Sequence, residues 1–241
     1  MDYPQEQIKP YGEVGSKTEQ VEKMFNHIAP AYDKLNHLLS FDIDKLWRRR
    51  AIRKLSCLHP ERILDVATGT GDFAIHTYEQ VRPTEMVAVD ISEGMLRQAR
   101  TKAEGLDISF RQADCMALPF ADNHFDVVTV AFGVRNFEHL DRGLCEMQRV
   151  LRTDGRLIVL ELSEPTSFPM RQLYQLYSKV VLPNVGRFVS HDKAAYKYLP
   201  QSIKAFPRAV QMRQILLHDG FRKVNVHCLT GGVCTLYEAV K

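Results

Sequence analysis

Residues Ile63–Ala74 read ILDVATGTGDFA, and the way this stretch is taken decides the fold. An apolar run suited to a buried strand enters a glycine-rich turn, and the turn opens a helix. Gly69, Gly71 and Ala74 satisfy the G-x-G-x-x-G/A spacing of a nucleotide-binding strand–turn–helix unit. The same rhythm continues downstream. EMVAVD (85–90) reads as a strand and SEGMLRQARTKAEG (92–105) as a helix capped by Ser92. DISFRQAD (107–114) and DVVTVAFGV (126–134) are further strands. HLDRGLCEMQRVLRTDG (139–155) is a helix closing at Gly155, and RLIVLELSE (156–164) is the next strand. Alternating apolar strands and helices predict an α/β fold, a Rossmann-like and mostly parallel sheet covered by helices on both faces. RKVNVHCLT (222–230) and GGVCTLYEAVK (231–241), joined around Gly231-Gly232, read as a hairpin that leaves an antiparallel C-terminal strand.

The flanks do not follow this rhythm. Residues 1–20 are polar, with Pro4, Pro10, Gly12 and Gly15, and read as a flexible tail. Residues 21–241 then form a single domain, with a helical cap over 21–58 and a helical insertion over 166–207. The cap pattern is interrupted at Pro30 and resumes in the amphipathic stretch 44–58. Five cysteines without a C-x-x-C pair argue against a disulfide framework or a zinc site and suit a reducing cytoplasm. No metal ligands are expected. The polar, acid-bearing start reads as neither signal nor transit peptide, and no apolar run reaches the ~18 residues of a membrane span. A net charge of +3 permits contact with an acidic surface without demanding it.

Three acids sort the ligands that the glycine turn could hold. Asp65 lies within the first strand just before the turn, Asp90 ends the second strand and Asp114 ends the third. Asp90 suits a ribose diol in any nucleotide and does not discriminate. A pyrophosphate on the helix N-terminus is ill-served by Asp65 so close to it. S-adenosylmethionine carries a sulfonium and an ammonium and has no phosphate, so acids around the loop suit it. Asp114 then suits the exocyclic amine of adenine, and Gly69 and Gly71 allow close approach. Asp72 favours the helix N-terminus.

Several blocks together closely resemble the ubiquinone/menaquinone-biosynthesis C-methyltransferase family, from about Met24 to Lys241. They are AYDKLNHLLSFDIDKLW, LDVATGTGDFA, DISEGMLRQAR, ADCMALPFADNHFD, FGVRN, RVLRTDGRLIVLELSEP, AYKYLPQSI and GFRKVNVHCLTGG. FGVRN and the N-terminal block are the most diagnostic. The chain departs from the family's usual residues at Leu35, Asp44, Cys115, Ala131 and the 152–155 turn. The resemblance implies a class I S-adenosylmethionine-dependent fold and methyl transfer to a ring carbon of a polyprenylated quinol. The product is menaquinol from demethylmenaquinol, or, in the ubiquinone branch, a methylated 2-methoxy-6-polyprenyl-1,4-benzoquinol; the LDVATGTGDFA wording favours the former. It also implies cofactor contacts by Thr70, Asp90, Asp114 and Cys115.

Carbon methylation needs an electron-rich ring, so the quinol reacts and a proton acceptor is required. FGVRN follows the fourth strand, which sets Arg135 and Asn136 at the mouth of the cleft as the catalytic candidates. Arg135 would stabilise a developing phenolate, or brace its loop against an acid; Asn136 would position the ring. Tyr32 and Asn36 in the cap and Tyr196 in the insertion are candidate substrate contacts, with Asp33, His191 and Tyr198 beside them. The apolar residues of 173–182 would line a prenyl channel or form the insertion's own core. The run Trp47–Arg50 with Arg53 and Lys54 would face lipid headgroups in a transient, peripheral contact at the inner membrane face, or be a solvated helix face. A homodimer is compatible with the sequence. No nucleic acid partner is expected, since the fourth strand ends in FGVRN and no Pro-Cys pair supplies a thiolate. The rivals are another small-molecule methyltransferase, acting on a sterol or a phenol oxygen, and a non-catalytic binding module.

Overall fold

The computed structural model describes residues 3–189 and 193–241, with side chains for all of these except 181–189, 193 and 196. Seven strands form one sheet: β1 (Arg62–Val66), β2 (Glu85–Asp90), β3 (Ser109–Gln112), β4 (Phe125–Ala131), β5 (Leu151–Leu162), β6 (Lys223–Leu229) and β7 (Cys234–Val240). Their order is β3-β2-β1-β4-β5-β7-β6. Strands β1 to β5 pair in parallel, while β7 runs antiparallel between β5 and β6. The expected hairpin is present, closed by a short turn over Thr230–Gly232. Strand order reverses between β1 and β4, and in open α/β sheets ligands bind outside the strand ends at such a point.

Side chains alternate across the sheet and feed two cores. Leu64, Val66, Val128, Val130, Leu157 and Val159 pack beneath α6 (Leu140–Val150) and α9 (Ala209–His218). Ile63, Ala88, Val127, Ile158 and Leu160 point the other way, toward α3 (Ile43–Ser56) and α4 (Asp72–Val81). This two-sided burial is what the near-continuous apolar strands require.

Helix α5 (Glu93–Lys102) packs against β2 and β3. The remaining helices are α1 (Lys17–Ile28), α2 (Tyr32–Ser40), α7 (Met170–Val189) and α8 (Lys193–Ala205). Helix α1 opens with a capping box between Ser16 and Glu19. A chain of bonds fixes it to the sheet: Asp90 accepts from Ser92 N, and Ser92 Oγ and Gly94 N both donate to Asn26 Oδ1. No described helix is long and apolar enough to cross a membrane.

Two expectations are corrected. The start of the segment read as a flexible tail is packed: Tyr3 Oη donates to Asp141 at 2.6 Å, and Glu6 caps α6 by accepting from Leu140 N at 2.7 Å. Lys17 is fully buried and its ammonium donates to the carbonyls of Gln5, Arg135 and Phe137. A polar sequence here serves as caps and pins. The helix expected to close at Gly155 ends at Val150 instead, because Leu151 turns extended and pairs with Phe125. Residues 152–155 then bulge out before Arg156 resumes the pairing with Val127.

Candidate active site

The ends of β1, β2 and β4, with the loop after β3, surround a cleft that α1 and Tyr32 cover. The glycine turn after β1 makes its floor. Gly69 (φ +59°) donates its N–H to Asp90 Oδ2 at 2.8 Å, and a Cβ there would meet the Tyr32 ring at 3.9 Å. Gly71 does not line the cleft. At φ +81°, its Cβ would press on Ala99 Cβ at 3.0 Å and on Phe110 at 3.3 Å, so its place is in seating α4 against α5. The loops after β1 and β4 touch closely, since a Cβ on Gly133 would lie 2.6 Å from Ala67 Cβ.

Asp65, Thr70, Asp90, Asp114, Cys115, Asn136 and Tyr32, read from the sequence as site residues, all line this cleft. Asp65 is buried; its Oδ1 accepts from Thr129 Oγ1 at 2.5 Å, and its Oδ2 makes no hydrogen bond within the protein. Burial pushes its carboxyl up to about 6 against the pull of the Thr129 hydroxyl and Arg48. Burial likewise raises Asp90 to about 6, opposed by the N–H groups of Ser92, Gly69 and Ile91. Asp90 Oδ2 accepts from Gly69 N and Oδ1 from Ser92 N, each at 2.8 Å, and these leave acceptor capacity for a further donor. Asp114 Oδ1 accepts from Met116 N at 2.8 Å. The Cys115 thiol is pushed well up by burial and by Asp114 beside it, which suits an apolar wall and not a thiolate. The Thr70 hydroxyl donates to Asp33 Oδ1, so its expected cofactor contact competes with a bond to the cap.

Asp72 opens α4, as expected, and is also the hub of an ion-pair cluster. It pairs with Lys102 of α5, and with Arg48 of α3 at 2.9 Å; Lys102 also reaches Asp33 of α2 at 2.8 Å. This cluster fastens the cap to the sheet. Arg48 stands over the Phe132 ring at 5.4 Å and is buried. The basic run is therefore not one headgroup-facing surface: Trp47 and Arg48 point inward and Lys54 pairs with Glu238 at 3.8 Å.

Beyond Tyr32, Arg48 and Phe132, which border both, a second and largely apolar pocket opens. Helices α2, α3, α7 and α8 build its walls, with Leu39, Ile43, Trp47, Leu173, Tyr174 and Tyr177 among the lining residues. Asn36 and Arg135 line this pocket. Arg135 is braced as the sequence allowed: its Nη1 donates to Glu161 Oε1 at 2.7 Å and to the Phe132 carbonyl, and its N–H donates to Glu161 Oε2 at 3.1 Å. Despite burial, Glu161 holds the guanidinium above its ordinary pKa, and Nε makes no hydrogen bond within the protein. Asn136 lies in the first cleft instead, where its Oδ1 accepts from Tyr198 Oη at 3.1 Å. Tyr198 is thus a brace from α8. His191 and the Tyr196 side chain lie outside the described residues.

Arg48, Asp44 and Glu161 were missed in the sequence. A signal existed for the first two: Asp44, Trp47, Arg48, Ala51, Ile52 and Leu55 are the buried positions of α3, a helical stripe crossing the basic run. Glu161 sits in an apolar strand with nothing local to mark it.

The site fits S-adenosylmethionine on its own chemistry. An unpartnered buried carboxylate oxygen on Asp65 suits an ammonium, and Asp90 offers lone pairs to a diol. The sequence profile of the ubiE/COQ5 methyltransferase family matches residues 13–241. A demethylmenaquinone methyltransferase of Bacteroides fragilis is 55% identical over 245 residues, covering 100% of both chains. A ubiquinone/menaquinone biosynthesis C-methyltransferase of Syntrophotalea carbinolica is 46% identical, covering 90% of this chain and 92% of that one. A SAM-dependent methyltransferase structure from Thermotoga maritima, described as a possible histamine N-methyltransferase, superposes with a TM-score of 0.65. It covers 91% of this chain and 99% of that one at 19% identity, a likeness of fold alone.

Proposed function

The chain belongs to the ubiE/COQ5 methyltransferase family, and from that premise we propose that it methylates the ring carbon of demethylmenaquinol to give menaquinol. The observation that carries this reading is the join between an acid-lined cleft and an apolar pocket across Tyr32, Arg48 and Phe132. A charged methyl donor and a greasy acceptor need such paired chambers, and the 55% identical relative bears the matching name. S-adenosylmethionine supplies an electrophilic methyl group on its sulfonium.

Asp65 holds the ammonium, Asp90 the ribose hydroxyls and Asp114 the adenine amine. Gly69 and Thr70 shape the turn, and Cys115 packs against the base. In the apolar pocket Tyr32 and Asn36 orient the quinol ring. Arg135, locked by Glu161, keeps a positive charge where the phenolate develops, since only a charge fixed in place stabilises it without reorganisation. Asn136 braces the cofactor side through Tyr198. The pocket mouth carries exposed apolar side chains, with Phe41 67% and Leu173 56% exposed. Leu38 and Leu176 are exposed on the same helices, α2 and α7. They support a transient dock on the inner membrane face, from which the prenyl tail enters.

Methyl transfer from labelled S-adenosylmethionine tests the reading. The substrates are chemically reduced demethylmenaquinol, the matching benzoquinol and both oxidised quinones. Labelling of the naphthoquinol alone is expected. Labelling of both quinols extends the activity to the ubiquinone branch, and labelling of neither overturns the substrate. Co-sedimentation with anionic vesicles at low salt is expected, and its absence removes the docking step.

A further inference from the structure

A quinol carbon attacks well only once a ring hydroxyl gives up its proton, and Arg135 is a poor acceptor because guanidinium stays charged. Among the described residues lining the apolar pocket there is one carboxylate, Asp44, and no histidine. On the functional reading above, we propose that Asp44 takes the quinol hydroxyl proton, with His37 and Ser40 holding its carboxylate in place.

Asp44 is 4% exposed, so it is a buried acid among apolar walls. Ser40 Oγ donates to its Oδ1 at 2.6 Å, and His37 Nδ1 lies 3.2 Å from Oδ1 and 3.1 Å from Oδ2. An ionised carboxylate only accepts, so the hydrogen sits on Nδ1 and the His37 tautomer is fixed. Arg48 Nη1 approaches Oδ2 at 3.4 Å. His37 bridges both oxygens, so Oδ1 takes Ser40 and His37 while Oδ2 takes His37 and, at the longer 3.4 Å, Arg48. The long Arg48 contact on Oδ2 is the one that a quinol hydroxyl in the pocket would replace. Asp44 also stands one helical turn from Arg48, which borders the cofactor cleft, so the base and the methyl donor serve one ring.

The step balances. The quinol O–H bond breaks and its proton joins Asp44. The ring carbon forms the new C–C bond as the S–CH3 bond breaks, its electron pair staying on sulfur. The ring carbon's own hydrogen then leaves to solvent as a proton, and the oxygen recovers its proton from Asp44. One proton is released per methyl group, as loss of the sulfonium charge requires.

The charged and titratable groups around Asp44 are Arg48 on its own helix, His37 and Tyr32 on α2, and Asp42 in the turn, which is 4.0 Å from His37. From facing elements come Asp72 of α4 (3.7 Å from His37 Nε2), Arg135 after β4, and Tyr174 and Tyr177 of α7. A structural loss in this network would not be rescued by alkali, and that separates the two roles.

The experiment compares kcat and KM for reduced demethylmenaquinol between pH 6 and 10 in wild type and Asp44→Asn. S-adenosylmethionine affinity and melting temperature are the controls. We expect kcat in Asp44→Asn to fall roughly 10²- to 10⁴-fold at pH 7, with KM and cofactor affinity nearly unchanged. Its rate should then climb about tenfold per pH unit toward a phenol pKa of about 10, a slope that the wild type lacks. Asp44→Glu should regain part of the rate at pH 7, and His37→Gln should lower kcat less than Asp44→Asn does. A wild-type kcat in Asp44→Asn overturns the proposal, as does a loss that alkali leaves in place. Should Asp44→Asn not fold, the Asp44→Glu and His37→Gln rates at pH 7 decide instead, and wild-type kcat in His37→Gln with none in Asp44→Glu overturns it. A wild type inactive on every quinol, with cofactor bound, overturns the functional reading and this step with it.

Discussion

In the cofactor cleft the left-handed positions of the turn after β1 are Ala67 and Gly69, at φ 52° and 59°, with Gly71 at 81° behind them; around the apolar pocket they are Phe41, Phe132 and Thr230, at 51°, 62° and 45°. The cleft needs backbone N–H groups and close approach, which a missing side chain provides at no steric cost. The pocket needs side chains at those same conformations: Phe41 at its mouth and Phe132 at the join with the cleft. On the proposed function, local strain there is what placing these rings would cost. The two regions are also assembled differently. The cleft grows from successive strand ends, whereas the pocket gathers residues from Tyr32 to Val233.

The sharpest way to break this contrast is at Glu161, which carries the pocket's arginine from within the cleft's own sheet. Glu161→Ala strips the acceptor from Arg135 N, Arg135 Nη1 and Leu162 N. Removing one partner of a buried pair costs about 3–5 kcal/mol, or roughly 6–20 °C of melting temperature at this chain length. A loss under ~1 kcal/mol would mean the pair is dispensable to the fold. Arg135→Lys comes next and separates chemistry from binding. The fork that spans Glu161 and the Phe132 carbonyl is lost, while the cleft is untouched. We expect kcat to fall roughly 10- to 100-fold, or about 1.4–2.8 kcal/mol, with cofactor affinity unchanged in a titration. Full turnover in this variant would end the role given to Arg135.

The cleft was legible in the sequence because its parts are contiguous with strands. ILDVATGTGDFA fixes β1, the turn and α4 together, and Asp90 and Asp114 fall at or just after strand ends that apolar runs mark. The sheet was legible for the same reason, including the antiparallel β7. What could not be read is what distance in sequence separates. The brace from Glu161 to Arg135 joins β5 to the turn after β4. The tail's burial depends on Lys17 reaching carbonyls more than a hundred residues away. Arg48 looked like surface charge because composition hides which face of α3 it occupies. The bulge over 152–155 replaced a helix end because pairing with β4 outweighs the helix pattern of RVLRTDG.

Asp65→Asn tests the cleft's own compromise, with an effect of similar size. Its folded pKa, raised to about 6 by burial, means that the ionised form costs the cofactor-free protein stability. The contribution is present below the unfolded value of about 3.9 and is lost as pH rises through about 6. The amide variant removes the charge, so it should be the more stable protein at pH 8, by about 2–3 kcal/mol. The gap should close as pH falls through 6 in paired denaturation series. Its affinity for S-adenosylmethionine should meanwhile drop roughly 10- to 100-fold, since a charge-assisted bond contributes about 1.5–3 kcal/mol. Affinity without a matching loss would move the ammonium away from Asp65.

Phe41→Asn has the smallest effect and bears most directly on the contrast. Phe41 closes α2 in the left-handed region, donating its N–H to the His37 and Leu38 carbonyls, and it meets Tyr177 edge-on at 6.3 Å. Asparagine tolerates that conformation better than phenylalanine, so relief of roughly 0.5–1 kcal/mol is expected in the variant. Its loss to function should appear only with a prenylated quinol. KM rises several-fold as about 1 kcal/mol of apolar contact disappears, while a tail-less quinol and the cofactor bind as before. Greater stability with an unchanged KM would leave the strain at Phe41 without a use. Lower stability would mean that the ring contact with Tyr177 outweighs the backbone, and the pocket mouth would then be held by packing on both sides.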